Sequence, residues 1–136
     1  MEPGAEKKPL TICLGSNVSD AAERVASALR WLKSVIDIQK STAPYMTPPE
    51  GSDISGRPYY NALAKGLTDR SIEHLTAMLK RYESECGRTP GHKLSGKVII
   101  DLDVVEYDNR VIDSVNYRSG YYRSGLHILN AVTSEN

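Results

Sequence analysis

Asp101 and Asp103 stand on either side of a single leucine in the run Val98-Ile99-Ile100-Asp101-Leu102-Asp103-Val104. Side chains two positions apart on a strand point the same way, so both carboxylates project from one face while Val98, Ile100, Leu102 and Val104 occupy the other. Carboxylates held that close repel and raise each other's pKa unless a cation lies between them. Mg²⁺ suits such a pair, because it binds through a few carboxylate oxygens plus the phosphates of a substrate. The competing reading is a solvated acidic face.

The segment just before this strand, Arg88 to Lys97, carries Arg88, His92, Lys93 and Lys97 and no acidic residue. Cations placed there would stabilise the charge that develops in phosphoryl transfer, where catalysis is mostly positioning and electrostatics. A solvated basic loop is the alternative. Upstream, Thr47-Pro48-Pro49-Glu50-Gly51 is stiff, since proline fixes φ and holds the preceding residue extended. It makes either a wall for a flat ligand or a rigid connection. Asn61 offers an amide donor and acceptor able to read the edge of a heterocycle, and Tyr59 and Tyr60 would stack on it or pack.

These residues have to be positioned by the elements between them. Leu10 to Leu14 alternates and stops at Gly15-Ser16-Asn17, as a strand ending in a turn does. Asp20 with Glu23 has the form of a capping box, and Val25, Ala28, Leu29 and Leu32 give a helical stripe to about Ser34. Ile36 to Tyr45 reads as one strand with Pro44 near its end. A loop from Met46 to Pro58 leads to a strand over Tyr59 to Leu67. Ser71 caps a second helix with Ile72, Leu75, Met78, Leu79 and Tyr82 inward, stopped by Gly87. A strand from Val98 to Tyr107, the turn Asp108-Asn109 and a short return at Val111-Ile112 follow.

The order β-α-β-β-α-β predicts an α+β, ferredoxin-like split-βαβ fold, an antiparallel sheet with both helices on one face and the other face open. Beyond Tyr117, the tetrad Tyr117-Arg118-Ser119-Gly120 is echoed by Tyr122-Arg123-Ser124-Gly125. That stretch reads as a flexible basic loop, with Leu126, Ile128, Leu129 and Val132 as either a short closing helix or a loose tail.

Bulk properties narrow the function. The 136 residues are expected to form one domain, with a flexible stretch over residues 1–9. A formal net charge of +0 argues against general nucleic-acid binding. No apolar leader or span is present in the sequence, so a cytoplasmic protein without a membrane partner is expected. Cys13 and Cys86 lack metal-ligand spacing and read as plain thiols. A monomer or weak homodimer is the expected state.

In order, Leu14-Gly15-Ser16-Asn17, Thr47-Pro48-Pro49, Tyr59-Tyr60-Asn61-Ala62, Glu83 with Gly87-Arg88, and Asp101-Leu102-Asp103 resemble the landmarks of the 6-hydroxymethyl-7,8-dihydropterin pyrophosphokinase family, over Leu10 to Ile112. The resemblance implies Mg²⁺-dependent transfer of pyrophosphate from ATP to the hydroxymethyl pterin, with release of AMP, in folate biosynthesis. It implies Asp101 and Asp103 as metal ligands, and Thr47, Pro48, Tyr59 and Asn61 as the pterin site. Glu83, Arg88, His92 and Lys93 would lie toward the nucleotide, with Arg88 and Lys97 as phosphate clamps. The chain departs from the family where an aromatic-Gly-Pro-Arg-Thr run becomes Ser95-Gly96-Lys97-Val98-Ile99. A Pro-His segment is likewise replaced by Ser119-Gly120-Tyr121-Tyr122. Two other readings therefore stand beside the enzyme: a catalytically degenerate relative that binds pterin or nucleotide, and a protein-interaction module using the open sheet.

Overall fold

Strand β1 (Lys8–Ser16) pairs on both sides and is the spine of the molecule. Around it the computed structural model, which describes residues 6–48, 57–87 and 96–132, arranges α1 (Ala21–Val35), β2 (Asp37–Ser41), β3 (Tyr45–Thr47), β4 (Tyr59–Thr68), α2 (Ile72–Glu85), β5 (Asp101–Tyr107), β6 (Arg110–Val111), α3 (Ser114–Tyr117) and α4 (Gly120–Asn130). The sheet runs β2-β4-β1-β5-β6, with β3 also paired to β4. Every pairing is antiparallel. This is the expected split-βαβ arrangement.

Alternation along the strands separates two faces. Leu10, Ile12 and Leu14 of β1, Ala62 and Ala64 of β4, and Leu102 and Val104 of β5 form one apolar surface. Against it α1 packs Val25, Ala28, Leu29 and Leu32, and α2 packs Leu75 and Leu79. Each large aliphatic side chain buried here contributes roughly 1.5–3 kcal/mol. Trp31 and Tyr82 stack at 4.3 Å and join the two helices. The Ser71 hydroxyl accepts from the His74 N–H as a helix cap, and Gly87 ends the second helical segment at φ 97. Asp108 and Asn109 both adopt positive φ, 53 and 63, and make the turn into β6. Among the described residues no helix is long and apolar enough to cross a membrane.

Several expectations are corrected. The strand expected over Ile36 to Tyr45 is two, because Pro44 has no N–H for a ladder and Thr42 turns its side chain inward. The Thr42 hydroxyl accepts from Leu63 N–H at 3.1 Å, doing the work of a backbone carbonyl. The strand expected from Val98 starts only at Asp101, since the backbone of Val98 is engaged by Asn17 and Ser16 instead. No capping box forms at α1: the Asp20 carboxylate makes no cap bond and accepts from Arg24 Nε at 3.1 Å.

The second face is not open, and the stretch after Tyr117 is not a loop. Helix α4 lies on that face, burying Tyr122 and Leu129 against Cys13, Leu63 and Val105. A register shift between Thr11 and Ile12 forms a β-bulge opposite them. The bulge turns both Val105 and Glu106 toward α4, where Glu106 accepts from the Tyr122 hydroxyl. At Gly125 the helix lies so close to the sheet that a Cβ would collide with the Tyr45 hydroxyl and with Leu63. The Tyr45 hydroxyl donates to the Tyr121 carbonyl at 2.7 Å and fastens the helix over β3.

Candidate active site

Helix α4 covers only part of this face, and the candidate site residues lie in what remains. Directly opposed residues on neighbouring strands point to the same side of a sheet. The pairings Tyr45 with Asn61, Asn61 with Gly15, and Gly15 with Asp101 therefore set one row across four strands. A second row runs from Leu63 through Cys13 to Asp103. Tyr59 and Thr47, paired across β3 and β4, stand on the same face two residues from Asn61 and Tyr45. Gly15 makes the first row possible: a Cβ there would be 3.0 Å from Asn61 Oδ1 and 3.9 Å from the Tyr59 ring. Asn61, buried, donates through Nδ2 to Thr47 Oγ1 at 2.6 Å, which fixes the orientation of its amide.

The other end of the rows is acidic. Burial first, then the neighbouring Asp101 charge, pushes the Asp103 carboxyl up to about 7, opposed by Lys80 and assisted by a hydrogen bond with Asp101. Crowded carboxylates raise one another in this way when no cation lies between them. Cys13, below them, has its thiol pushed well up by burial and by Asp103 and Asp101, and forms a neutral floor. Among the described residues no third His, Cys, Asp or Glu completes a metal-holding group. A hard divalent ion bridging the pair would take its remaining oxygens from water or substrate, which is how Mg²⁺ is ordinarily held. The donor set fits that ion.

The segment entering β5 is tied to the end of β1. Asn17 donates through Nδ2 to the Gly96 carbonyl at 2.7 Å, accepts on Oδ1 from Val98 N–H at 2.7 Å, and its own N–H donates to the Val98 carbonyl at 3.0 Å. The β1 turn thereby sets where the aspartate strand begins. On the outer side, Glu83 of α2 is buried and accepts from Leu102 N–H at 2.7 Å, capping a donor on the strand edge between the two aspartates. A hydrogen bond to a charged acceptor of this kind contributes about 1.5–3 kcal/mol.

Residues 11–129 match the sequence profile of the 7,8-dihydro-6-hydroxymethylpterin-pyrophosphokinase family. The chain belongs to this family. It is 33% identical over 109 residues to the mitochondrial folate synthesis bifunctional protein of Pisum sativum, and 31% identical over 107 residues to the folate synthesis bifunctional protein of Arabidopsis thaliana. These matches cover 79% and 77% of this chain but only 21% and 22% of the plant proteins, so the chain spans about a fifth of their length. It is 30% identical over 113 residues to the 2-amino-4-hydroxy-6-hydroxymethyldihydropteridine pyrophosphokinase of Haemophilus influenzae, covering 82% of this chain and 69% of that one.

Within the pyrophosphokinase frame, the structure brings together Thr47, Tyr59, Asn61, Asp101 and Asp103 on one sheet face, with Pro48 exposed just beyond β3. Glu83 sits behind the strand edge, its carboxylate turned to Leu102 and Lys80. Lys97 is not among the residues lining the space beside Asp103; it borders a separate cavity of about 800 Å³ with Arg24, Arg57, Asn17 and Tyr60. Arg88, His92 and Lys93 lie outside the described residues.

Sequence reasoning missed Lys80, whose Nζ stands 3.6 Å from Asp103 Oδ1 and 4.0 Å from Asp101 Oδ1. It also missed Asn116, whose Nδ2 donates to Asp103 at 3.3 Å and to Asp113 at 2.6 Å and so aims the second carboxylate. Lys80 carried one signal: it is three residues before Glu83 and hence on the same side of the helix. Asn116 carried none, since α3 is too short to show a period.

Proposed function

We propose that this chain transfers the β,γ-pyrophosphoryl group of ATP to the hydroxymethyl oxygen of 6-hydroxymethyl-7,8-dihydropterin. The observation that carries the reading is the shared sheet face, with the Thr47–Asn61 amide at one end of the rows and Asp101 and Asp103 at the other. The Asn61 amide reads the edge of the pterin, held in one orientation by Thr47, while Tyr59 and Pro48 border the ring. Asp101 and Asp103 would hold Mg²⁺, which when bound neutralises phosphate charge. The nucleotide lies along the cavity of about 390 Å³ beside Asp103, whose apolar wall is Ile72, Leu79, Val104, Ile112 and Val115. The substrate oxygen bonds to the β-phosphorus, the bond from that phosphorus to the α,β-bridging oxygen breaks, AMP leaves, and the hydroxyl proton passes to solvent. This chain's contribution is alignment and charge compensation, the usual means of catalysing phosphoryl transfer.

A second reading, binding without turnover, is favoured by one observation. Where the family places a Pro-Arg-Thr run, this chain has Lys97, Val98 and a buried Ile99, and Lys97 faces a cavity that neither aspartate lines. Incubating the protein with ATP, Mg²⁺ and the hydroxymethyl pterin separates the two. AMP and pterin diphosphate in equal amounts are expected. Calorimetric uptake of pterin or nucleotide with no AMP above a protein-free control establishes the second reading instead.

A further inference from the structure

Lys80 is placed against the aspartate pair, and its attachments are unequal. Its ammonium sits between both Glu83 oxygens, at 3.2 and 3.4 Å, as hydrogen bonds. Its distances to Asp103 and Asp101, 3.6 and 4.0 Å, are those of attraction without a hydrogen bond. Glu83 is itself immobilised, buried and holding Leu102 N–H. Lys80 therefore hinges on Glu83 and leans on the aspartates. Its side chain is half exposed, which leaves it room to move.

Two consequences follow from charge. An ammonium this close to a metal site repels an incoming divalent ion, so the ion binds only by pushing the ammonium aside. Lys80 and Asp103 also line the same cavity of about 390 Å³, so an ammonium displaced from the pair stays, anchored on Glu83, beside any anion that occupies that space.

We propose that Lys80 couples the two ligands: it partly offsets the charge of the aspartate pair, opposes a divalent cation that arrives alone, and favours the cation when a polyphosphate arrives with it. The inference rests on the proposed function in taking Asp101 and Asp103 as the cation site. In thermodynamic form, Lys80 is the source of a coupling free energy between cation and polyphosphate, and such coupling is reciprocal.

Mn²⁺ binding by the full chain tests this, with free ion read by electron paramagnetic resonance, alone and with an ATP analogue whose α,β link cannot be cleaved. Three proteins are compared: wild type, Lys80→Met and Lys80→Arg, each checked for an unchanged far-ultraviolet spectrum. Lys80→Met is expected to bind Mn²⁺ alone about tenfold more tightly than wild type, with a smaller gain on adding the analogue. Lys80→Arg, which keeps the charge, is expected to stay near wild type. Equal or weaker Mn²⁺ binding by Lys80→Met, with normal binding by wild type, overturns the coupling role and leaves the cation site standing. Failure of all three to bind Mn²⁺, with or without the analogue, overturns both.

Discussion

The two faces of the sheet are made by the same strands and obey opposite rules. On the face under α1 and α2 the middle of the central strands is apolar, with Leu10, Ile12, Leu14, Ala62, Ala64, Leu102 and Val104 buried together. On the other face the same strands present Cys13, Gly15, Asn61, Asp101 and Asp103, and α4 covers only the part where Leu63, Cys13 and Val105 can pack. The first face holds the fold together, and the second keeps polar groups at fixed spacing on a rigid support. A site built on strands in this way is more exact than one built on loops.

Adjacent residues of β5 should separate the roles of the two faces most clearly. Asp101→Ala and Asp103→Ala are each expected to lower turnover by orders of magnitude without lowering the urea midpoint. Leu102→Ala, between them, is expected to cost about 2–5 kcal/mol of stability through the cavity it leaves. If Leu102→Ala were tolerated, or either aspartate variant kept full turnover, the division of labour would fail.

A pH titration of stability tests the acidic end. The Asp103 carboxyl is raised to about 7 in the folded, metal-free protein, whereas an unfolded aspartate titrates near about 4. Through that window the native state holds more protons than the unfolded one, so this group's contribution to stability is full below the unfolded value and is lost as pH rises toward 7. Urea midpoints of the metal-free protein are expected to fall from pH 5 to pH 8. Asp103→Asn is expected to flatten that fall, and a slope unchanged in the variant would assign the effect elsewhere.

The smallest effect concerns the cover. In an exposed helix Gly→Ala stabilises by about 1 kcal/mol. At Gly125 the new methyl meets the Tyr45 hydroxyl and Leu63, so Gly125→Ala is expected to destabilise by about 1–3 kcal/mol and lower the melting temperature. A rise in melting temperature would mean that α4 is not seated on the sheet as described.

The same asymmetry explains what could be read from the sequence. Asp101 and Asp103 were legible because a strand's period of two puts acid on one side and Leu102 and Val104 on the other, and the core confirms that separation. The helices α1 and α2 were legible from their apolar stripes. Helix α4 was half hidden because its buried positions are Tyr122, Gly125 and Leu129, and a glycine and a tyrosine do not register as a hydrophobic stripe. The capping box at Asp20 had the right residue types, but an arginine one turn on competes for the carboxylate. Lys80 was not singled out, because nothing local shows that β5 brings two aspartates to within reach of it.

In the proposed function the two β5 aspartates together hold a divalent ion on the face that also carries Asn61. Anomalous diffraction from crystals grown with Mn²⁺ and a non-cleavable ATP analogue tests it most directly. The expected result is a manganese peak in contact with carboxylate oxygens of both Asp101 and Asp103, with the analogue's phosphates completing its ligands. A bound analogue with its manganese held elsewhere, and neither aspartate among the ligands, would contradict it.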